Sequence, residues 1–456
     1  MATGGTILLG YCCDSVRPRR AALALVLVTA LPRLAALLYE RERIVLLNVD
    51  KGDIFARQFL ADGTYGFIPG HPSAYTQPLY GWFLAAIYWP IGRHWWAVGL
   101  AQVVVSIATA LIVLEIGTRL RSTGIGVTAA LITTLHPYVV WHDMHANREV
   151  LDGLTLAALT LLTLIAYEKR SLPWATAAGA VGGLAILGNA RLTLLPLVVG
   201  IYIAWWIRPW TRALLAVAVV AIAAAVVVSP WVIRNKVQVG CFAITTDARA
   251  LWKANNVNTY RVLQNGGWID DVPPLAGAPP WPELAADLTL EGKQTTVDEC
   301  AQMRLYRHAT IEFWKKHPGA KAKLAAQAVR MLWTPVPSES DSSGSGIART
   351  ARRTIEPAYV VLLYLLAIAG LFFAPRRFVS LALALLAYNT VLATIFAGTV
   401  RYRVPWDFLL ALLAAFMLAE ILAWVRARRS TRTADERGDT AGQSSSGIPA
   451  QPESSR

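Results

Sequence analysis

The chain has 456 residues, of which 55% are hydrophobic and only 16% are charged. A soluble domain has about 45–50% apolar and about 25% charged residues, so this composition excludes an ordinary soluble enzyme and indicates a protein solvated by lipid. The net charge is +14. The basic residues stand mostly in short clusters between apolar runs, as they do where charge sets orientation in a bilayer, so we expect no nucleic-acid partner.

Ten apolar runs are close to the length of about 20 residues that a helix needs to cross a bilayer. In chain order they cover 21–39, 95–118, 126–142, 150–168, 173–189, 192–207, 213–232, 357–374, 378–397 and 405–425. A further run at 78–92 is apolar but short and rich in aromatic residues, so it is either an eleventh span or an interfacial segment.

The basic clusters favour the interfacial alternative for 78–92. If this segment stays on the outer surface, the short basic loops, from 17–20 to the cluster at 426–432, face the cytoplasm, as the positive-inside rule requires. The sequence therefore predicts a multi-pass plasma-membrane protein with about ten spans and both termini inside. The expected fold class is all-α and polytopic, with juxtamembrane helices and a small extracytoplasmic domain.

This topology divides the chain into five parts. They are a cytoplasmic tail (1–20), an N-terminal membrane module (21–232) with outer loops at 40–94 and 142–149, an extracytoplasmic domain (233–356), C-terminal spans (357–425) and a disordered cytoplasmic tail (426–456). Within the domain, the apolar spacing of 299–332 predicts a helix near the membrane surface. Cys241 and Cys300 share this compartment, and the sequence fits a disulfide and two separate thiols equally well.

The first outer loop carries two aspartates that are candidates for chemistry. Asp50 lies about one helical turn beyond the first apolar stretch, near the interface, where partial desolvation raises the basicity of a carboxylate, and Asp53 follows one turn later. For any single loop aspartate, a solvated side chain without a catalytic role is the usual alternative.

The second outer loop is also rich in ionisable residues. Glu149 begins an apolar run, and an acid so close to hydrocarbon is a functional candidate, although a helix N-terminus also favours an acid. His142 and His145 flank Asp143 closely enough to share a metal or a substrate, but isolated histidine pairs are seldom metal ligands.

Four arginines lie on the predicted outer side at span ends. They are Arg191, Arg234, Arg401 and Arg403. Arginine binds phosphate oxygens through a planar fork and keeps its charge when desolvated, so these side chains are candidate substrate ligands. Snorkelling to the interface is the alternative, and it is weaker for Arg191, which has few polar neighbours in the sequence.

Five stretches, in chain order, carry a resemblance to a known family. They are NVDKGDIFARQFLADGTY, QPLYGWFLAAIYWPIG, HPYVVWHDMHANREV, SPWVIRNKVQVG with LWKANN, and GTVRYRVPW. Together they resemble the GT-C superfamily of integral membrane glycosyltransferases, nearest to the branch of protein O-mannosyltransferases and bacterial aminoarabinose transferases. The resemblance runs from about residue 20 to about residue 425.

The resemblance implies two acidic site residues. The family aspartate of the first loop corresponds to Asp50, and the family acid of the second loop corresponds to Glu149. Lys51 stands where the family usually has Glu, a departure that leaves the register open to Asp53. Arg148 stands where Thr is common in the family.

The resemblance also implies a reaction. A polyprenyl-phosphate-linked sugar is the expected donor, and a single inverting displacement on the outer face moves the sugar to an acceptor glycan, lipid or protein. Asp50 would remove the proton from the acceptor hydroxyl. The Arg401-Tyr402-Arg403 signature, with Arg191, would stabilise the departing phosphate.

Glu149 would orient the sugar or the acceptor, or help to hold a divalent cation. The family is divided on metal use, so no cofactor is certain and the metal stays unknown.

Two alternatives to a glycosyltransferase stay open on sequence. A transporter or flippase for a lipid-linked sugar would carry polar residues through the bundle, but the predicted spans hold few, with Glu115 as the main exception. A non-catalytic scaffold of a cell-envelope complex would keep the fold without the chemistry, and Lys51 in place of the usual acid is compatible with that alternative.

Overall fold

The computed structural model describes residues 18–47, 49–205, 207, 209–282, 297–336 and 347–443. Within these ranges the regular secondary structure is helical, and the β-structure is a single isolated bridge between Ile68 and His71. The expected all-α fold is confirmed.

The N-terminal half contains ten α-helices. They are α1 (Pro18–Glu40), α2 (Gly52–Asp62), α3 (Pro78–Ile91), α4 (Trp95–Leu120), α5 (Thr123–Thr134), α6 (Pro137–His142), α7 (Glu149–Lys169), α8 (Leu172–Gly188), α9 (Leu195–Trp205) and α10 (Trp210–Gln238). Short 3₁₀ turns at Arg41–Val45 and Ala190–Leu194 follow α1 and precede α9.

The remaining helices belong to the predicted extracytoplasmic domain and the C-terminal spans. They are α11 (Arg249–Lys253), α12 (Thr259–Gln264), α13 (Glu299–Lys316), α14 (Pro318–Trp333), α15 (Ile347–Gly370), α16 (Arg376–Ile395), α17 (Val400–Arg403) and α18 (Asp407–Gln443).

Seven stretches in the described ranges are long and apolar enough to cross a bilayer. They lie at Arg19–Val45, Trp95–Leu120, Glu149–Lys169, Trp210–Gln238, Arg353–Gly370, Arg376–Ile395 and Val400–Arg429. Three shorter apolar helices, at Thr123–Thr134, Leu172–Gly188 and Ala190–Trp205, fall on the three other predicted runs. Each predicted run therefore has an apolar helix, while the number of helices that cross the bilayer stays a prediction.

The 78–92 segment forms the 14-residue helix α3, which packs against α2. At about 1.5 Å per residue such a helix is about 21 Å long, less than the roughly 30 Å hydrocarbon core. Its length agrees with the interfacial placement. Tyr80, Leu84 and Tyr88 are buried on one side of α3, so the helix belongs to the packed core beneath the outer loops.

Two predicted helical runs are each broken in the structure, and a proline explains both breaks. The run 126–142 divides into α5 and α6 before Pro137, and the run 299–332 divides into α13 and α14 before Pro318. Proline lacks a backbone N–H and disfavours helical geometry in the residue before it. The single helix predicted for 299–332 is therefore wrong, because the chain bends at His317.

The two ends of the chain differ in what the structure describes. Residues 1–17 of the predicted cytoplasmic tail lie outside the described residues. The sequence predicts disorder from residue 426 onwards, whereas α18 continues to Gln443. Arginine, alanine and glutamate are strong helix formers and recur in this stretch, which accounts for the continuation. Residues 444–456 lie outside the described residues.

The structure contains the Cys241–Cys300 disulfide, with a Cα–Cα distance of 6.0 Å. It joins the segment just after α10 to the first turn of α13. The segment that carries α11 and α12 is therefore closed into a covalent loop.

A buried ion pair that the sequence analysis did not identify links α1 to the second outer loop. Arg33 is 1% exposed, and its Nη2 lies 2.7 Å from Oδ2 of Asp143. Ser106 donates to the same Asp143 oxygen at 2.7 Å. The Gln102 amide donates to the backbone carbonyls of Asp143 and His145 at 2.6 and 2.9 Å. These contacts fix the loop to α1 and α4.

We expect Arg33→Ala to lower the free energy of unfolding by about 3–5 kcal/mol, because it leaves the Asp143 carboxylate buried without its cation. Thermal unfolding of the protein in lipid nanodiscs measures the loss. Arg119→Ala is the matched control, since Arg119 pairs with Glu115 at the partly exposed end of α4 and should cost about 0–1 kcal/mol. Equal effects of the two substitutions would contradict the prediction.

Candidate functional site

A cavity of about 650 Å³ lies between the two predicted outer loops, the 244–270 segment and the turn before α17. Its wall includes Asp50, Arg191, Arg401 and Tyr402, four of the residues predicted from the sequence. These residues are separated by up to about 350 positions in the chain, and the fold brings them to one cavity.

Asp50 is held at the cavity wall by backbone contacts. Its amide donates to the carbonyl of Ala146 at 2.8 Å, and its Oδ1 accepts from the amide of Gly52 at 2.8 Å. A Cβ atom on Gly52 would lie 3.2 Å from that Asp50 oxygen and 3.1 Å from the amide nitrogen of Gly81. Glycine therefore allows the carboxylate and α3 to approach closely. The two outer loops together orient Asp50.

Three arginines line the cavity on its membrane side: Arg148, Arg191 and Arg401. The Arg191 guanidinium lies 4.0 Å from the ring centroid of Tyr402. The charges of Arg148 and Arg401 both interact with the Asp50 carboxylate. Arginines near one carboxylate at the ends of apolar helices make a site suited to an anion attached to a lipid.

The sequence analysis noted Arg148 only as a departure from the family pattern. In the structure its side chain lines the large cavity. Its Nη1 donates to the side chain of Gln77 at 2.7 Å. Burial by itself would lower the pKa of Arg148, but the nearby carboxylates of Asp50 and Glu149 outweigh it and raise the pKa above its ordinary value. The guanidinium is therefore held in its charged form.

Glu149 is buried at the start of α7 and pairs with Arg401. It borders a separate, smaller cavity of about 50 Å³, which Arg401 also lines. Arg401 donates in addition to the side-chain oxygen of Asn147 at 3.3 Å. Glu149 therefore does not line the large cavity. It contacts Arg401 on the side of the smaller cavity and orients the guanidinium from there.

Asp53 does not line the cavity. It is 2% exposed, and Tyr88 donates to its Oδ1 at 2.7 Å. Arg93 donates to both carboxylate oxygens at 2.8 and 3.0 Å, and Arg57 donates to Oδ2 at 3.1 Å. Its acceptor sites are used to tie α2 to α3 and to the segment after α3. The register that the sequence left open therefore favours Asp50.

Arg403 and Arg234 also lie away from the large cavity, contrary to the prediction that they bind substrate. Arg403 is fully buried, with its Nε 3.2 Å from both carboxylate oxygens of Asp407 and its Nη1 2.8 Å from the Thr334 carbonyl. Arg234 donates to the carbonyls of Ser73 and Tyr65 at 2.7 and 3.0 Å. Both arginines join helices to neighbouring segments.

The two histidines do not line the large cavity either. The ring of His142 stacks on Tyr138 with centroids 4.0 Å apart, and Nδ1 of His145 lies 2.9 Å from the Trp141 carbonyl. Asp143, the acid between them, pairs with Arg33. Among the described residues no group of three or more His, Cys, Asp or Glu is arranged to hold a metal ion.

The opposite wall of the cavity contains cationic residues that the sequence analysis missed: Arg249, Lys253 and Arg307. The first two belong to α11, four residues apart, and therefore face the same side of that helix. The LWKANN stretch lies within this region, but it was used only as a family marker. The i, i+4 spacing of Arg249 and Lys253 was the available signal.

Comparisons with known proteins agree with this geometry. A family model described as dolichyl-phosphate-mannose-protein mannosyltransferase matches residues 70–233. The oligosaccharyltransferase AglB from Archaeoglobus fulgidus, in complex with an inhibitory peptide and a dolichol-phosphate, has a similar fold, with a TM-score of 0.51 at 13% identity. That match covers 97% of this chain and 53% of AglB, so this chain spans about half the length of that enzyme.

Two further structures are similar at lower scores. The apo form of the Archaeoglobus fulgidus oligosaccharyltransferase has a TM-score of 0.50 at 12% identity, over 91% of this chain and 52% of that one. ArnT from Cupriavidus metallidurans, bound to undecaprenyl phosphate, has a TM-score of 0.40 at 16% identity, over 88% and 77% of the two chains. No curated protein sequence matches this chain.

The apolar helices and the cavity at their ends define an integral membrane protein with a glycosyltransferase fold. The family model matches residues 70–233, and the similar structure of AglB shares the fold, so both comparisons support the resemblance to the GT-C superfamily of membrane glycosyltransferases seen in the sequence.

We expect Asp53→Ala and Asp50→Ala to differ sharply in stability. Asp53→Ala leaves Arg93 partly buried without its carboxylate and should cost about 3–5 kcal/mol. Asp50→Ala removes one local hydrogen bond at the cavity wall and should cost about 0.5–1.5 kcal/mol. Thermal unfolding of both variants measures the difference, and a larger loss for Asp50→Ala would show that the two roles are reversed.

Proposed function

We propose that this protein transfers a sugar from a polyprenyl-phosphate-linked donor to an acceptor hydroxyl at the outer face of the plasma membrane. The proposal rests on one observation: Asp50, Arg148, Arg191 and Arg401 line the same cavity of about 650 Å³. The cavity lies next to apolar helices that lipid can reach, which suits a donor with a charged head and a long tail.

The three arginines support a donor with a phosphate group. In the displacement, the bond between the anomeric carbon and the phosphate oxygen breaks, and negative charge develops on the phosphate that leaves with the lipid. Guanidinium groups already fixed in place stabilise that charge without reorganising. The structure of AglB, which is similar in fold, contains a dolichol-phosphate, and this supports a lipid phosphate as part of the donor proposed here.

Asp50 is the proposed general base. It takes the proton of the acceptor hydroxyl as the hydroxyl oxygen attacks the anomeric carbon on the face opposite the phosphate. A single displacement of this kind inverts the configuration at the anomeric carbon. The backbone contacts with Gly52 and Ala146 support this role, because they hold the carboxylate at the cavity wall before substrate binds.

Glu149 is the proposed positioning residue for Arg401. Glu149 is buried, at 7% exposure, whereas the Arg401 side chain is 26% exposed, so a shielded carboxylate orients a guanidinium that a ligand in the cavity can reach. A guanidinium that is already oriented loses less conformational entropy when it binds phosphate.

Two observations support the outer face as the side of the reaction. The Cys241–Cys300 disulfide lies in the segment that forms one wall of the cavity, and disulfides persist in oxidising compartments. Arg19 and Arg20 begin the first apolar stretch, Arg19–Val45, and Arg426, Arg428 and Arg429 end the last one, Val400–Arg429, which suits a cytoplasmic location for both termini.

Transfer of label tests the reaction. Purified protein is incubated with radiolabelled polyprenyl-phosphate sugars and a membrane extract, and label is followed into a new product. We expect Asp50→Asn to reduce transfer by about 10²–10⁴-fold, the usual contribution of a general base. Asp62→Asn, an exposed acid at the end of α2, is the matched control and should transfer at the normal rate.

The other outcomes separate the remaining alternatives. Equal transfer by the native protein and Asp50→Asn would remove Asp50 as the base but keep the enzyme. Movement of the labelled lipid across a liposome bilayer without a new product would indicate a flippase. Absence of both transfer and movement with all common sugar donors would favour a scaffold.

Arg401 and Arg403 offer a matched pair for the phosphate site. We expect Arg401→Gln to weaken binding of polyprenyl phosphate by about 10-fold or more, since a hydrogen bond to a charged group contributes about 1.5–3 kcal/mol. Both substitutions should lower the unfolding free energy by about 3–5 kcal/mol, because Glu149 and Asp407 are each left buried without a cation, but Arg403→Gln should leave polyprenyl-phosphate binding by the folded protein unchanged. Titration of polyprenyl phosphate in nanodiscs and thermal unfolding measure the two effects, and a binding loss specific to Arg403→Gln would reverse the assignment.

A further inference from the structure

The cavity has a second cationic wall, formed by the segment that follows α10. Arg249, Lys253 and Arg307 line it, and Lys51 of the first outer loop borders the same side of the cavity. We call these four residues the domain-side cluster. It is separate from Arg148, Arg191 and Arg401, which face the ends of the apolar helices, and the proposed reaction does not use it.

Two members of the cluster are buried and only weakly neutralised. Arg249 and Lys253 are 6% and 3% exposed. Their ion-pair partner is Asp270, whose Oδ1 lies 3.6 Å from Arg249 Nη2 and 3.5 Å from Lys253 Nζ. This carboxylate is itself 62% exposed and is shared between the two cations, while Asp247, which also lines the cavity, acts on both without a direct ion pair, so two acids face the four cations of the cluster. A buried charge without close partners is costly, so binding an additional anion at this wall would be energetically favourable.

The titration of Lys253 agrees with that demand. Burial lowers the pKa of Lys253 below its ordinary value, and the neighbouring positive charge of Arg249 lowers it further. An anion bound between the two side chains would oppose both effects.

The cluster is held rigidly. Arg249 donates from Nε to the hydroxyl of Tyr75 at 3.0 Å, and its guanidinium lies 4.4 Å from the ring centroid of Trp281. The same Tyr75 ring has the Lys51 ammonium 4.8 Å from its centroid. Contacts therefore run from Arg249 through Tyr75 to Lys51, the residue directly after Asp50. The wall is a fixed surface that reaches the proposed base.

The position of the domain-side cluster next to Asp50 indicates that the cluster contacts the acceptor and not the donor. The base must contact the acceptor hydroxyl, so the acceptor occupies the side of the cavity next to Asp50. Lys51 lines the cavity directly after Asp50 and makes this side more positive. Trp268 also lines this wall and adds an aromatic residue of the kind that packs against the apolar face of a sugar ring.

We propose that the domain-side cluster binds an acidic group on the acceptor, and that the acceptor is a saccharide carrying carboxylate or phosphate groups. This inference rests on the proposed function of the cavity, because it assigns the second substrate of the same reaction. The competing source for the same chemistry is the second phosphate of a lipid diphosphate donor.

Direct binding tests the proposal without turnover. The intact protein in nanodiscs is titrated with trigalacturonate, with a phosphorylated trisaccharide and with a neutral trisaccharide. We expect at least one acidic trisaccharide to bind about 10-fold or more tightly than the neutral one, and to lose about 10-fold in affinity in Arg249→Gln.

Substitution of the buried Arg249 can also disturb folding. An exposed member of the cluster therefore provides a second test of binding. Arg307 and Arg304 are both exposed on α13, but only Arg307 lines the cavity. Arg307→Gln should weaken binding of the acidic trisaccharide by about 3-fold or more, and Arg304→Gln should leave it unchanged. Equal effects of the two substitutions would overturn the proposal, since they would indicate general attraction to a basic surface.

Lipid ligands distinguish the two sources of the anion. Polyprenyl phosphate and polyprenyl diphosphate are titrated into the same variants. If Arg249→Gln and Arg307→Gln weaken only the diphosphate, the cluster belongs to the donor and the proposal is wrong. If no acidic trisaccharide binds better than the neutral one, the proposal is also wrong, even where sugar transfer occurs. Binding of the acidic trisaccharide without any sugar transfer would support the domain-side cluster as a binding site and contradict the proposed glycosyltransferase reaction.

Discussion

The buried ion pair between Arg33 and Asp143 is the constraint on which the candidate site depends. It joins α1 to the second outer loop at a depth where neither charge is solvated. The same loop supplies the Ala146 carbonyl that binds the Asp50 amide, and it carries Arg148 into the cavity. A shift of this loop would therefore move both the Asp50 carboxylate and Arg148. The ion pair between Arg33 and Asp143 holds the loop, and with it both side chains, in place.

The charged residues near the outer face fall into two groups with different partners. In one group the charge is matched inside the protein by close opposite charges, as in the pairs Arg93–Asp53 and Arg403–Asp407. In the other group, which lines the cavity, cations outnumber acids. Asp50, Asp247 and Asp270 are the acids of this lining, and the arginines and lysines around them leave the wall with a net positive charge. A net positive cavity attracts anions, and this agrees with the proposal of an anionic donor and an acidic acceptor.

Sequence reasoning identified the class of protein and part of the site, and its errors have physical causes. Asp50 and Asp53 are three residues apart, and only the tertiary partners of Asp53 separate a structural acid from a cavity acid. Arg401 and Arg403 alternate along a short helical turn, so one faces the cavity and the other faces Asp407. The length of the apolar runs predicted each of the long apolar helices, whereas Arg33 was overlooked because the sequence of an apolar run does not show that its one charged residue has a partner in another segment.

The disulfide has a consequence for when the site can form. Cys241 and Cys300 close a loop with a sequence separation of 59 residues that contains Arg249, Lys253 and Asp270. Closing a loop of that length removes about 4 kcal/mol of freedom from the unfolded chain in the chain-entropy model. Before oxidation this entropic restraint is missing, so the domain-side wall is less firmly held. The order of the domain-side wall therefore depends on the oxidation state of Cys241 and Cys300, two residues that lie outside the cavity itself.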